Sequence, residues 1–294
     1  MRTLARGVTL IELILVIVVS AILAAMMANF VVPMLQYFES SRRAELSDIA
    51  DTAARRIGRD LRLALPNSVR VSADNLYVEF LLMRSGGRYR ADTGSSGGVA
   101  CPADGSADRN MLRIGAADAC FKTLGNIPNA SSVTTSDFVV VYNLQPGTDG
   151  ADAYENGNAT CGNKALVTGL TTEASQERIE IQSATFTYES PASRFHIIEG
   201  PVTYACDLGA KELRRYSGYA ISAGVAGRTQ PPAPSGASAL VVSNLTGCTF
   251  TYDPNTVAGS DGLVTLRLSV SNTSVQGVTE TVSLYYSLHV SNVP

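Results

Sequence analysis

A single carboxylate lies at the start of a long apolar stretch, where an unpaired charge is energetically unfavourable. Glu12 is the only charged residue in residues 7–38. Inserting an isolated carboxylate at the edge of a membrane-length segment costs on the order of a few kcal/mol. The cost falls when the carboxylate is paired with a cation. The sequence therefore predicts that Glu12 forms an ion pair, the alternative being a stray carboxylate at a membrane interface.

Other residue types that support catalysis or metal binding are few. The two histidines, His196 and His289, each lie in a strand-like pattern typical of a structural role. No nucleophile elbow, phosphate loop or HExxH zinc motif occurs in the sequence. Two loops rich in oxygen ligands do not have the spacing of the twelve-residue calcium loop and are interpreted as solvated: Asp149, Asp152 and Glu155, and Asp253, Asn255 and Asp261. We therefore expect no enzymatic activity, no metal and no cofactor.

The apolar stretch is long enough to cross a membrane as a helix. Roughly 20 apolar helical residues span a bilayer core, and this stretch exceeds that length. A secretory signal peptide is the alternative, but its apolar region is usually shorter and does not begin with Glu. From residue 39 to 65 apolar residues continue at spacings of three and four, which predicts an amphipathic half packed on a globular domain. Pro66 predicts the end of the helix at about residue 65.

Beyond Pro66 the apolar period changes from helical to two. A hairpin is predicted at residues 69–71 and 76–82, and strands at 137–142, 178–181, 184–189, 194–198, 202–206, 212–219, 240–252, 262–271 and 278–290. Residues 84–110 and 145–165 are interpreted as loops. The expected fold class is α+β, with one long helix followed by an antiparallel sheet domain. The expected units are residues 1–7, 8–38, 39–65 and 66–294.

The sequence RGVTLIEL at residues 6–13 resembles the prepilin signature of type IV pilins and type II secretion pseudopilins. The resemblance implies cleavage between Gly7 and Val8 by a prepilin peptidase, which also methylates the new N-terminus. Glu12 would become the fifth residue of the mature chain and would serve assembly by pairing with the terminal amine of a neighbouring subunit. It also implies that the leader lies in the cytoplasm and the remainder outside.

Export would place all five cysteines in an oxidising compartment, where disulfides persist. Cys206 and Cys248 both lie in strand-like segments, and we expect them to pair. Cys101 and Cys120, separated by 18 residues, are the next most plausible pair. Cys161 is then left over, although the sequence alone leaves open its pairing with Cys101 or Cys120. No pair has the CxxC spacing of a zinc site.

Three further segments resemble a subgroup of minor pilins that contains pseudopilin J and PilW. They are RRIGRDLR at residues 55–62, ALPNSVRV at 64–71 and RFHIIEGPVTYAC at 194–206, the last being similar to a minor pilin of the mannose-sensitive haemagglutinin (MSHA) pilus. The resemblance implies a minor pilin that primes or caps a fibre, with a pseudopilin of a type II secretion system as the close alternative. The alternative from a different functional class is a binding protein, either a pilus-tip adhesin or a DNA-binding module, with ligand-binding loops at 84–135 and 145–175.

Charge and composition restrict the partners. The net charge is −3 and, with Arg2 and Arg6 removed by cleavage, the basic residues fall from 23 to 21 against 26 acidic ones, which gives −5. This net negative charge is not typical of a general nucleic-acid-binding protein. The partners that the resemblance implies are other minor and major pilins, the prepilin peptidase and the inner-membrane assembly platform. The expected location is the inner membrane, in a single pass with a periplasmic C-terminal domain.

Overall fold

A computed structural model describes residues 7–92, 101, 110–173, 175–254, 261–273 and 277–294, with residues 30–40 described by their backbone alone. One helix, α1 (Leu10–Arg62), runs without a break through the apolar stretch and the amphipathic stretch. It ends three residues before the predicted position. Leu63 to Leu65 already turn toward the sheet domain, and the Leu65 N–H donates to the Leu81 carbonyl at 2.8 Å.

The large sheet of the domain has nine antiparallel strands. Its order is β1-β2-β7-β4-β5-β6-β3. Strand β4 pairs with the first half of β7, and β8 pairs with the second half of β7 on the same edge, followed by β9. The strands are β1 (Arg70–Val71), β2 (Tyr77–Arg88), β3 (Asp118–Lys122), β4 (Phe138–Val141), β5 (Lys164–Thr172), β6 (Glu177–Ala184), β7 (Arg194–Asp207), β8 (Glu212–Ser217) and β9 (Ala237–Ser243).

A second sheet of three antiparallel strands covers the helix. It consists of β10 (Leu245–Asp253), β11 (Asp261–Thr273) and β12 (Thr279–Ser291), in that order. The alternating apolar residues of β12 face the amphipathic half of α1. The principal core lies among this sheet, the helix stripe and strands β2, β7, β8 and β9, and it contains Leu46, Ile57, Leu61, Phe80, Tyr204, Phe250, Leu266 and Leu268.

Two further cores lie on opposite faces of the large sheet. Phe121, Phe195 and Ile197 belong to the one on the side of β3 and β6. Phe138, Tyr154 and Ile198 belong to the other, beneath the loop that follows β4. Since Phe195 and Ile197 face one core, the residue between them, His196, faces the opposite side of the sheet.

The α+β architecture expected from the sequence is confirmed, and the differences are local. The predicted strand at 240–252 is two strands in different sheets, because Asn244 adopts a left-handed conformation (φ 59°) and turns the chain from β9 into β10. The predicted strands at 194–198 and 202–206 form one strand, β7, which passes through Gly200. Strands β3 and β5 were not predicted, and residues 184–189 are mostly not a strand.

Candidate assembly segment

The N-terminus of α1 is capped by the side chain of Thr9. Thr9 is the N-cap, with φ −76° and ψ 154°, and its hydroxyl oxygen accepts a hydrogen bond from the Glu12 N–H at 3.3 Å. A threonine followed three residues later by a glutamate is the capping-box pattern, in which both side chains satisfy the free N–H groups of the helix start. Of the two contacts in this pattern, the structure shows the one in which the Thr9 hydroxyl oxygen accepts from the Glu12 N–H, so an experiment on the Glu12 charge has to be separated from an effect on the cap.

Gly7 and Val8 make no contact with the other described residues that explains their types. A Cβ atom added to Gly7 would meet no atom within 4 Å, and Val8 is 70 % exposed. Packing within the chain therefore places no constraint on Gly7. A requirement for glycine at this position would have to come from another molecule that approaches the backbone closely. Of the predicted leader, residues 1–7, only Gly7 lies within the described residues.

The apolar part of α1 stands free of the domain. Leu10–Asn29 has a mean hydropathy of 2.8 over a helix of 20 residues, and none of its side chains is buried against the rest of the chain. Leu10 and Ile11 are 78 % and 74 % exposed. Twenty helical residues are about 30 Å long, which is the thickness of a bilayer core. This surface needs an apolar environment outside the chain, which a membrane or the packed helices of a fibre would provide.

The amphipathic part of α1 is anchored to the domain by packing and by polar contacts near its end. The Asp60 carboxylate accepts hydrogen bonds from the Tyr204 hydroxyl and from the Arg215 Nε, both at 2.8 Å. Gly58 lies where the helix approaches β12 most closely, since a Cβ atom there would lie 2.6 Å from the Tyr286 hydroxyl. The helix is thereby held in one register on the sheets.

The cysteines lie in the arrangement that the sequence analysis favoured. The Cys101 and Cys120 sulfur atoms are 2.06 Å apart and those of Cys206 and Cys248 are 1.93 Å apart, which are disulfide-bonding distances. The second pair joins β7 of the large sheet to β10 of the small sheet. Cys161 is a buried free thiol. Burial raises the pKa of the Cys161 thiol, although the nearby Lys164 ammonium partly opposes this shift.

The first acidic loop is occupied by internal contacts. Arg228 binds the Asp149 carboxylate at 2.6 Å and the Asp152 carboxylate at 2.8 Å. The Glu155 carboxylate accepts a hydrogen bond from the Gly150 N–H at 2.8 Å. Within the described part of the chain, no group of three or more His, Cys, Asp or Glu side chains is placed to hold a metal ion. Of the second loop, Asn255 lies outside the described residues.

Two buried cations were not recognised from the sequence. Arg70 and Glu79 form an ion pair at 2.6 Å with both side chains 1 % exposed, and Arg70 also donates to three backbone carbonyls in residues 222–228. The Lys164 ammonium donates to the Ala153, Glu155 and Gly157 carbonyls. The signal for the first pair was present, because Arg70 and Glu79 lie directly opposite each other in the predicted hairpin. Both cations fix loops and have no free ligand position.

Comparison with models of known protein families gives a match that falls on this segment. Residues 2–28 match the family model described as the prokaryotic N-terminal methylation motif. This is a type IV pilin-like prepilin signal, and it supports a family of pilins or pseudopilins. No curated protein and no solved structure matches the chain significantly.

Proposed function

We propose that this chain is a minor pilin that co-assembles with other minor pilins to prime or cap an MSHA-like type IV pilus, in the manner of MshO. The observation that carries the proposal is the free apolar helix Leu10–Asn29 with one carboxylate in its first turn, in the segment that matches the N-terminal methylation motif. The chain would be inserted once in the inner membrane, with its sheet domain in the periplasm, and would be assembled at the base or the tip of the fibre.

The chemistry of assembly would use the end of the helix that cleavage creates. Cleavage after Gly7 leaves a charged amine on Val8, two residues before the helix begins. That amine lies at the positive end of the helix dipole, where a second positive charge is unfavourable and a carboxylate is favourable. Glu12 of a neighbouring subunit would supply this carboxylate in a medium of low dielectric constant. Pairing would also fix the axial position of each subunit relative to the next.

A pair of variants separates charge from helix capping. Glu12→Gln keeps a side chain that can complete the capping box and removes the charge, and Thr9→Ala removes the cap and keeps the charge. We expect both to be cleaved and inserted in the membrane. Only Glu12→Gln should fail to co-purify with the other pilins, because stranding one member of a buried pair costs about 3–5 kcal/mol, more than a hundredfold in an assembly equilibrium.

Mass spectrometry of the native N-terminus and co-purification with the other minor pilins provide the readouts. A mature chain that begins at Val8 is expected, and a start at Met1 or near Asn29 would contradict the processing step. A cleaved and inserted Glu12→Gln chain that assembles normally would contradict the pairing. Sheared fibres and exoprotein export, measured in a strain without this chain, distinguish a pilus from the pseudopilus of a type II secretion system, which is the alternative.

A further inference from the structure

A cleft at one end of the large sheet combines unneutralised positive charge with an apolar wall. It has a volume of about 530 Å³ and is lined by residues of β2, β7 and the loop around Pro128, together with Leu63 at the end of the helix. Volumes of this size are typical of small-ligand sites. The cleft is separate from the assembly segment, since Asn29 and Arg62 are 33 positions apart along the helix, or about 50 Å.

Two arginines lie directly opposite each other on neighbouring strands of the cleft. Arg88 of β2 pairs in register with Arg194 of β7, and both side chains are exposed. Like charges in directly opposite positions destabilise a sheet. The Arg88 Nε donates to the Ala192 carbonyl at 3.0 Å, and no side chain or carbonyl in the described residues accepts a hydrogen bond from the Arg194 guanidinium. Among the described residues neither arginine forms an ion pair, so the arrangement costs stability without a counter-charge from them, which points to a counter-charge from outside.

A histidine lies two residues from Arg194 on the same face of the sheet. His196 pairs in register with Gly86, and its Nε2 atom is buried with no hydrogen-bond partner among the described residues. A Cβ atom on Gly86 would lie 3.0 Å from the Phe195 carbonyl and 3.3 Å from the His196 Nδ1, so glycine keeps room for the ring. Burial and the adjacent Arg194 charge lower the pKa of His196 to about 4, so the imidazole is neutral at pH 7.

The third arginine of the cleft is already neutralised. Arg84 of β2 binds the Asp137 carboxylate and the Glu199 carboxylate, both at 3.0 Å. These two carboxylates neutralise Arg84, so the unpaired positive charge of the cleft does not extend along β2 to this residue. A nucleic-acid strand needs a continuous basic track for its successive phosphates. The compact positive site formed by Arg88 and Arg194 fits one terminal group instead.

We propose that this cleft binds a dianionic oxyanion group, a sulfate or phosphate ester, whose apolar portion contacts Leu63, Met83 and Pro128. The two opposed guanidinium groups match the charge of such a group and donate to its oxygens in pairs. Protonation of His196 adds a third positive charge to the lining of the cleft, so binding and protonation favour each other. This site is independent of the proposed role in a pilus, and it gives the surface-binding alternative a definite location.

The test uses the full chain in micelles of a neutral detergent, with inorganic sulfate as the probe. The chain has only two histidines, so the NMR signal of His196 can be followed against that of His289. We expect sulfate to raise the pKa of His196 by about one unit relative to chloride at equal ionic strength, which is a tenfold preference of sulfate for the protonated ring. The pKa of His289 should be the same in both salts. Equal His196 values in the two salts would overturn the proposal.

Arginine variants show whether the cleft is responsible. Arg194→Gln and Arg88→Gln should each abolish the difference between sulfate and chloride, while Arg59→Gln, a matched change on the exposed face of α1, should keep it. An equal loss in Arg59→Gln would show that only the overall charge matters and would overturn the site. Phenyl phosphate should bind at least as tightly as inorganic phosphate because of the apolar wall. Preferential binding of a thymidine oligonucleotide would contradict a compact site and indicate a nucleic-acid surface.

Discussion

The covalent connection between the two sheets leads to a quantitative prediction. Cys206 on β7 and Cys248 on β10 are 42 positions apart in the sequence, and their side chains are 6 % and 5 % exposed. In the chain-entropy model, closing a loop of this length removes about 13 cal/mol/K from the unfolded chain, which is worth about 4 kcal/mol at 25 °C. Cys101 and Cys120, 19 residues apart, give about 3 kcal/mol by the same relation.

Urea unfolding of a soluble fragment measures these values. Residues 39–294 contain both sheets and the amphipathic part of α1, and none of the side chains of Leu10–Asn29 is buried against them. Replacing Cys206 and Cys248 by Ala should lower the free energy of unfolding by about 4 kcal/mol. Reductant should lower it further in the unsubstituted fragment, because it also breaks the Cys101–Cys120 pair. Cys161→Ala is the matched control, since this buried thiol forms no bond that reductant breaks.

Two results would refute this reasoning. The first is a Cys206→Ala/Cys248→Ala fragment with the same free energy of unfolding as the oxidised parent. The second is a double variant that loses as much stability on reduction as the parent does, because only the pair Cys101–Cys120 remains for reductant to break. Either would mean that the connection between the sheets does not restrict the unfolded chain.

Two further predictions concern buried charge. Arg70→Met should lower the free energy of unfolding by about 3–5 kcal/mol because Glu79 loses its partner, and adding Glu79→Leu should restore part of that loss. Arg55→Met, which removes an exposed ion pair, should lower it by less than about 1 kcal/mol. If urea unfolding ranks these variants in another order, the Arg70–Glu79 pair is not buried in solution. Because the folded-state pKa of His196 lies below its unfolded value of about 6.5, the unfolded chain binds the proton more readily, and stability should fall by about 2 kcal/mol from pH 7 to pH 4.5. A fragment carrying His196→Asn should lack that part of the pH dependence, and identical pH profiles of the two fragments would contradict it.

The helix and the small sheet could be predicted because their patterns are long. The apolar stripe of α1 repeats over about four turns, and Leu46, Ala50, Ala53, Ile57 and Leu61 are all buried as that period requires. Strands β11 and β12 alternate over 13 residues each. In both cases one face of a regular element is covered, so its period is visible in the sequence.

The elements that were missed are short or interrupted by polar residues. Strand β3 has five residues, and β5 begins with Lys164, whose charge is satisfied by carbonyls of a loop that no local pattern reveals. The division of residues 240–252 depends on one left-handed residue, Asn244, within an otherwise continuous apolar run. The cleft with Arg88, Arg194 and His196 could not be predicted, because it depends on the register between β2 and β7, which lie more than 100 residues apart.

The strands that cover the amphipathic half of α1 come late in the sequence, so this half of the helix is covered late in synthesis. The stripe of α1 packs mainly on β11 and β12, which begin about 200 residues after the helix ends. At about 5–20 residues per second, a growing chain needs roughly 10–40 s to supply those strands. Throughout that time the amphipathic half of α1 lacks the two strands that cover most of it, and closing so long a loop slows folding further. A helix whose first half is already held in a membrane would keep its exposed second half away from other unfinished chains, so the anchor would also protect the protein during its synthesis.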